Sequence, residues 1–282
     1  MDYFNVYKDI MARTDGEIYI GVVGPVRTGK STFIKRFMNL MVLPNMENEN
    51  ERNRANDELP QSSSGKTIMT TEPKFVPNEA VEINVDDGIS MKVRLIDCVG
   101  YMVNGAVGHI EGEEERLVKT PWFDYEIPFT KAASIGTKKV ITEHSTIGIV
   151  VTTDGSFGDI EAANYQEPEE ETIKQLKALH KPFVVLLNTS RPYSEETVNL
   201  AKEKEAKYGA KVLPMNCEQL KKDDIYYILK SVLMEFPVSS IGFFVPKWVE
   251  VLPKDHKIKQ EIMETARRML MEKDTMKDIY EE

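Results

Sequence analysis

Glu17-Ile18-Tyr19-Ile20-Gly21-Val22-Val23-Gly24-Pro25-Val26-Arg27-Thr28-Gly29-Lys30-Ser31-Thr32 decides the fold. Its first half, Glu17 to Gly24, is a short apolar run ending in glycine and reads as a buried strand. Gly24 to Ser31 then matches G-x-x-x-x-G-K-S/T at every fixed position. From Lys30 to Leu43, the residues Phe33, Ile34, Phe37, Leu40 and Met41 fall at helical spacing, and Pro44 closes that helix. Strand, glycine loop and helix in this order make a phosphate cradle. Gly24 and Gly29 let backbone N–H groups turn inward around phosphate oxygens, beside the positive end of the helix dipole. Lys30 reaches the β- and γ-phosphates, and the Ser31 hydroxyl ligates Mg²⁺. Arg27, Thr28 and Thr32 complete the nucleotide-facing set.

Two later segments supply what such a cradle needs. Leu95-Ile96-Asp97-Cys98-Val99-Gly100 ends an apolar strand about 70 residues on, where Asp97 can steady the metal and the Gly100 amide can approach a γ-phosphate. Between them, Thr67-Ile68-Met69-Thr70-Thr71-Glu72-Pro73 offers the loop threonine that ligates the metal and senses the γ-phosphate; Thr70 and Thr71 serve equally by spacing. Gly65-Lys66-Thr67 is a decoy, since no apolar strand precedes it.

The base-reading position departs from guanine recognition. After the strand Pro182–Asn188 stands Asn188-Thr189-Ser190-Arg191, where N-K-x-D would put an acceptor for the guanine edge. Arginine has five donors and no acceptor. ATP is therefore the expected nucleotide, with Asn188 and the backbone near Met215-Asn216-Cys217 on the base side. Tyr101, rather than a glutamine, follows Gly100, so water positioning must come from elsewhere.

Around these motifs the pattern alternates strand and helix. Residues 45–75 read as a long loop, and 81–85 with 91–97 as a hairpin about Asp86-Asp87-Gly88. Residues 100–130 are irregular, with an aromatic segment at Pro121–Tyr125. A helix (131–144), a strand (Ile147–Thr153), a helix from Pro168, the strand at 182–188, a helix (194–207), a strand (Lys211–Met215) and a helix (222–235) follow. The expected fold is α/β: a Ras-like (TRAFAC-type) P-loop NTPase over residues 1–237, with a mostly parallel sheet and one antiparallel hairpin strand. Residues 238–282 read as the start of a following domain, with one or two strands at 240–252 and an amphipathic helix at 255–282.

Composition bounds the rest. The 282 residues carry 36 basic and 46 acidic side chains, a net charge of −10, which repels nucleic acid and anionic membrane. Two cysteines, no signal peptide pattern and no apolar run long enough to span a bilayer predict a cytosolic chain without a transmembrane segment.

The loop G-x-x-R-T-G-K-S resembles that of guanylate-binding proteins, which implies Arg27 as an internal arginine finger when protomers pair. The chain as a whole resembles the stage IV sporulation protein A family in GVVGPVRTGKSTFIKRFM, DELPQSSSGKTIMTTEPKFVPN, RLIDCVGY, PWFDYEIPF, EHSTIGIVVTTDGS, KPFVVLLNTSRPY and FPVSSIGFFVPKWVEVL. That resemblance implies ATP hydrolysis driving polymerisation into a shell on the forespore surface, in the mother-cell cytoplasm. It implies Lys30 in the phosphate loop, Thr70 and Thr71 as sensor threonines and Asp97 as the Walker B acid. The implied partners are further copies of the chain, other coat proteins and a small amphipathic membrane-anchoring peptide. Family members continue well past residue 282, so the chain is expected to be a shortened form. The alternative function is a nucleotide-dependent switch, on ATP or GTP, that regulates partners without polymerising.

Overall fold

The computed structural model describes residues 16–60, 72–86, 89–111, 114–238, 241–271 and 273–280. In chain order its elements are β1 (Glu17–Val23), α1 (Lys30–Phe37), α2 (Glu49–Asp57), β2 (Lys74–Asp86), β3 (Ile89–Asp97), β4 (Ile110–Glu111), β5 (Glu114–Glu115), β6 (Leu117–Thr120) and β7 (Phe123–Pro128). They continue with α3 (Phe129–Lys139), β8 (Ile147–Thr153), α4 (Gln166–Ala178), β9 (Phe183–Asn188), α5 (Glu195–Tyr208), β10 (Val212–Met215), α6 (Lys222–Met234), α7 (Lys247–Val251), α8 (Lys257–Met271) and α9 (Lys277–Tyr280).

Six strands form one sheet in the order β10-β9-β8-β1-β3-β2. Every neighbouring pair runs parallel except β2 with β3. The chain is thus an α/β protein with a mostly parallel sheet and a single antiparallel hairpin strand, as its sequence pattern predicts. β8 and β9 are buried at every residue because helices cover both faces of the sheet. On one face Phe33, Ile34 and Phe37 of α1 and Ile228 of α6 pack with Ile20 and Val22. On the other, Ile173 and Leu176 of α4 and Tyr208 of α5 pack with Val23 and Val150. α1 is only eight residues long, too short to be stable alone. Full burial of Phe33 and Phe37, worth about 2 kcal/mol each, holds it on the sheet.

Parallel strands bring their carboxyl ends to one edge. Val23, Asp97, Thr153, Asn188 and Met215 all end there, which gathers the candidate site.

Three expectations need correction. Among the described residues, 241–252 form no strand: 241–246 run without a ladder partner, and Lys247–Val251 are a helix capped by Pro246. A strand must pair its backbone groups, and the bridge found nearby among the described residues joins Pro237 to Thr275. The loop at 45–75 contains α2, which has just one buried residue, Ala55, and so shows no apolar period. Its start is set by the Asn48 side chain, which accepts the Asn50 and Glu51 amides at 3.0 and 3.4 Å. The helices expected at 30–43 and 131–144 are present, each closing in a π turn, at Met38–Val42 and at Val140–His144. Residues 100–130 carry two small hairpins, β4–β5 and β6–β7. After α8, whose residues are all at least partly exposed, the chain returns to the main body, where Met276 is buried and its amide donates to Phe236 O at 2.9 Å.

One buried charge pair ties α4 to α5 and to the sheet. Glu169 is 1% exposed and accepts Thr152 Oγ1 at 2.5 Å and Lys204 Nζ at 2.7 and 2.9 Å. Replacing Lys204 by Met strands that carboxylate, so urea unfolding should show a loss of about 3 kcal/mol. Adding Glu169→Gln should recover most of the loss, and neither change should alter nucleotide affinity.

Candidate functional site

The loop after β1 folds as the motif requires. Arg27 lies in the left-handed region at φ 61° and Gly29 at φ 100°, on either side of Thr28, an alternation that points successive N–H groups into one concavity. Gly29 caps α1 without a side-chain hydrogen bond, and no acidic residue stands in the first turn. The helix's orphan N–H groups at Lys30, Ser31 and Thr32 are left for an anion. Thr28 is buried, and its hydroxyl donates to Pro25 O at 3.0 Å, bracing the turn.

Lys30 is 5% exposed and donates to Gly24 O at 3.3 Å and Pro25 O at 2.5 Å. Burial lowers its pKa, opposed by the neighbouring Cys98 and Asp97. Asp97 arrives beside it because β1 and β3 pair in register, Val22 opposite Asp97. Its Oδ2 accepts the Ser31 hydroxyl at 3.3 Å, and its Oδ1 is buried with no hydrogen-bond partner. An orphaned carboxylate oxygen beside a serine hydroxyl is a donor set fitted to a hydrated Mg²⁺. Burial raises the Asp97 carboxyl to about 6, against the lowering effects of Lys30, Ser31, the Cys98 amide and Lys74.

Gly100 closes the site from β3. A Cβ there would stand 2.2 Å from Gly24 O and 2.6 Å from Lys30 Nζ, and its φ is 96°, so only glycine fits. Its N–H donates to Thr137 Oγ1 of α3 at 3.1 Å. Tyr101 continues the contact: its carbonyl accepts Val26 N–H at 2.9 Å, and its hydroxyl donates to Gln175 Oε1 of α4 at 2.6 Å.

Asn188, expected on the base side, lies beneath the loop. Its Nδ2 donates to Thr28 O at 3.0 Å and its Oδ1 accepts Cys217 N–H at 3.0 Å, so the amide clamps the phosphate loop to the end of β10. Arg191 projects outward and meets Glu196 at 3.8 Å, both side chains largely exposed. Asp154 takes Thr189 Oγ1 at 2.6 Å, joining the β8 and β9 loops. The Arg27 guanidinium is exposed and donates to Val107 O at 3.5 Å.

The structure therefore brings Gly24, Arg27, Thr28, Gly29, Lys30, Ser31, Thr32, Asp97, Gly100 and Asn188 into one cluster. Thr70, Thr71 and the decoy Gly65-Lys66-Thr67 lie outside the described residues. Thr137 was not legible in the sequence, since a threonine inside a helical run carries no local signal for a partner 37 residues earlier.

Comparison with known proteins shows the family. The family model "Stage IV sporulation protein A, ATPase domain" matches residues 1–237, and the model of that family's middle domain matches residues 238–282. The chain is 55% identical over 275 residues to the stage IV sporulation protein A of Clostridioides difficile (strain 630), covering 98% of this chain and 56% of that protein. It is 50% identical over 279 residues to that of Bacillus subtilis (strain 168), covering 99% and 56%. The chain thus spans just over half the length of these relatives. Among solved structures, a GTP-binding protein from the archaeon Sulfolobus solfataricus in complex with GDP superposes with a TM-score of 0.42 at 14% identity, covering 80% of this chain and 55% of that one. Among the described residues no helix is long and apolar enough to cross a membrane.

The Asp97 carboxyl generates a pH test. Its folded value, about 6, lies above the ordinary 3.8, so its protonated form favours folding below pH 3.8 and that contribution is lost as pH rises toward 6. In EDTA and without nucleotide, Asp97→Asn should therefore unfold at higher urea than the parent at pH 7, by on the order of 2 kcal/mol. At pH 4 the two should converge. A parent more stable than the variant at pH 7 would contradict this.

Proposed function

This chain belongs to the stage IV sporulation protein A family, a family of sporulation proteins with an ATPase domain, and we propose that residues 1–237 bind Mg²⁺–ATP and hydrolyse it to ADP and phosphate. The observation that carries this reading is Lys30 buried against Gly24 O and Pro25 O, one residue from the Ser31–Asp97 pair with its orphaned Oδ1. Lys30 exchanges two loop carbonyls for β- and γ-phosphate oxygens, which are stronger acceptors because they are charged. Loop and α1 amides hold the remaining oxygens, and Asn188 keeps the loop rigid beneath them. Ser31 and Asp97 would hold Mg²⁺, with Thr70 or Thr71 as a further ligand. When bound, the ion would neutralise charge building on the phosphates. Arg27, exposed on the loop and donating to Val107 O, would act in this reading as an internal finger on the γ-phosphate when protomers pair.

Adenine is favoured over guanine because the acceptor that guanine needs is replaced by Arg191, which only donates and points to Glu196. Family membership supports the wider role: nucleotide-driven self-assembly of the coat basement layer at the forespore outer surface, in the mother-cell cytoplasm. Other coat proteins and a small amphipathic membrane-anchoring peptide are its proposed partners. Residues 238–282 begin the following domain in this reading.

Competitive binding with Mg²⁺ present tests the nucleotide directly. ATP should displace a fluorescent analogue at least tenfold better than GTP, and a preference for GTP would overturn the base assignment. Phosphate release should fall below detection in Lys30→Ala. Arg27→Ala should cut turnover by roughly tenfold or more while ATP affinity stays within about twofold, since a finger acts on the transition state.

A further inference from the structure

Thr137 is wholly buried in α3, and its hydroxyl makes two bonds. It donates to Ala133 O, four residues back, at 2.8 Å, and it accepts the Gly100 amide at 3.1 Å. The bond to Ala133 is the ordinary way for a helical threonine to satisfy itself. The second bond reaches 37 residues back to the glycine wedged against Lys30 and the phosphate loop. An amide has one proton. It cannot serve both the Thr137 hydroxyl and a γ-phosphate oxygen at full strength.

α3 is tied at its other end to the hairpins that precede it. Phe129 N–H donates to Arg116 O at 2.9 Å, and Thr130 N–H to Glu115 Oε1 at 2.9 Å. The hairpin β6–β7 lies along α3, with Lys131 Nζ 5.6 Å from the Phe123 ring centre and Lys139 Nζ 5.9 Å from that of Trp122. Trp122 thus lies against the side-chain end of Lys139, two residues beyond Thr137 on α3.

We propose that Thr137 is a positioning residue that holds the Gly100 amide until a γ-phosphate takes it. Its release frees α3 and the β6–β7 hairpin from the phosphate loop. This rests on the nucleotide-binding reading above and adds to it the route by which the third phosphate is sensed at the surface. The charged phosphate oxygen accepts more strongly than a neutral hydroxyl, so the exchange runs downhill when ATP binds. With ADP the hydroxyl keeps the amide.

The experiment measures affinities for ADP and for adenylyl imidodiphosphate, with Mg²⁺, in a Trp248→Phe background that leaves Trp122 as the single tryptophan. In that background Trp122 emission should differ between the two nucleotides. Thr137→Val removes the competing acceptor. The ratio of ADP to analogue dissociation constants should rise about three- to tenfold, and Trp122 emission with ADP should move to the analogue-bound value. Thr137→Ser, which keeps the hydroxyl, should behave as the background protein. An unchanged ratio in Thr137→Val, or identical Trp122 emission with both nucleotides in the background protein, overturns the proposal. Should Thr137→Val fail to fold, that emission comparison decides it alone. Failure of the background protein to bind either nucleotide overturns the nucleotide reading itself, and this proposal with it.

Discussion

The site depends on the register between β1 and β3. Val22 opposite Asp97 puts a carboxylate from one strand within 3.3 Å of a hydroxyl on the helix that follows the other. A slip of two residues would keep every side chain on its own face of the sheet yet move Asp97 by roughly 6.6 Å, out of reach of Ser31. The same register presses Gly100 against Gly24 O and Lys30. A Cβ on Gly24 would in turn stand 2.4 Å from Val151 O of β8, so neither glycine has room for a side chain. Apolar burial on both faces of the sheet specifies the register, so the core and the site are one problem.

That arrangement is costly before any ligand arrives. Lys30 and Asp97 are both buried, and each is pushed toward its neutral form by loss of water. Their mutual attraction opposes the shift without cancelling it. Arg27 adds a left-handed backbone at a non-glycine residue. A triphosphate with a divalent ion would supply the missing charge. The fold supports such a site because the fully buried strands β8 and β9 stand beside it.

What the sequence revealed and concealed divides along one physical line. The places of the phosphate loop, Asp97 and Gly100 beside one another were legible because backbone geometry demands particular residues at particular offsets from a strand end, whereas the contact of Asn188 with the loop was not. The hairpin at β2 and β3 was legible from alternation. α2 was hidden because its stability comes from the Asn48 cap and charged first turn rather than from an apolar stripe. Residues 240–252 read as one or two strands, yet among the described residues no strand pairs with the backbone of 241–252. The bond from Thr137 to Gly100 belongs to tertiary packing alone, as does the use of both ends of the Asn188 amide within the protein.

The segment between Gly100 and α3 shares its packing with the phosphate loop. Val26 is buried with Val103, Ala106, Ile160 and Tyr165, and Arg27 donates to Val107 O. The outer side of the loop is thus the floor of this segment, while its inner side is the concavity proposed to hold phosphate. Close-packed clusters of this kind accept discrete rearrangements rather than gradual ones. A shift in the loop backbone large enough to rotate Val26 would open part of the cluster around Val103 and Ala106, which favours movement of the segment with the loop. The exposed Ile110, Leu117 and Tyr125 lie on that segment. That surface is mixed, since exposed Glu111, Glu114, Glu115, Lys119, Asp124 and Glu126 stand among those apolar side chains, so a rearrangement of the phosphate loop would displace a charged surface as much as an apolar one.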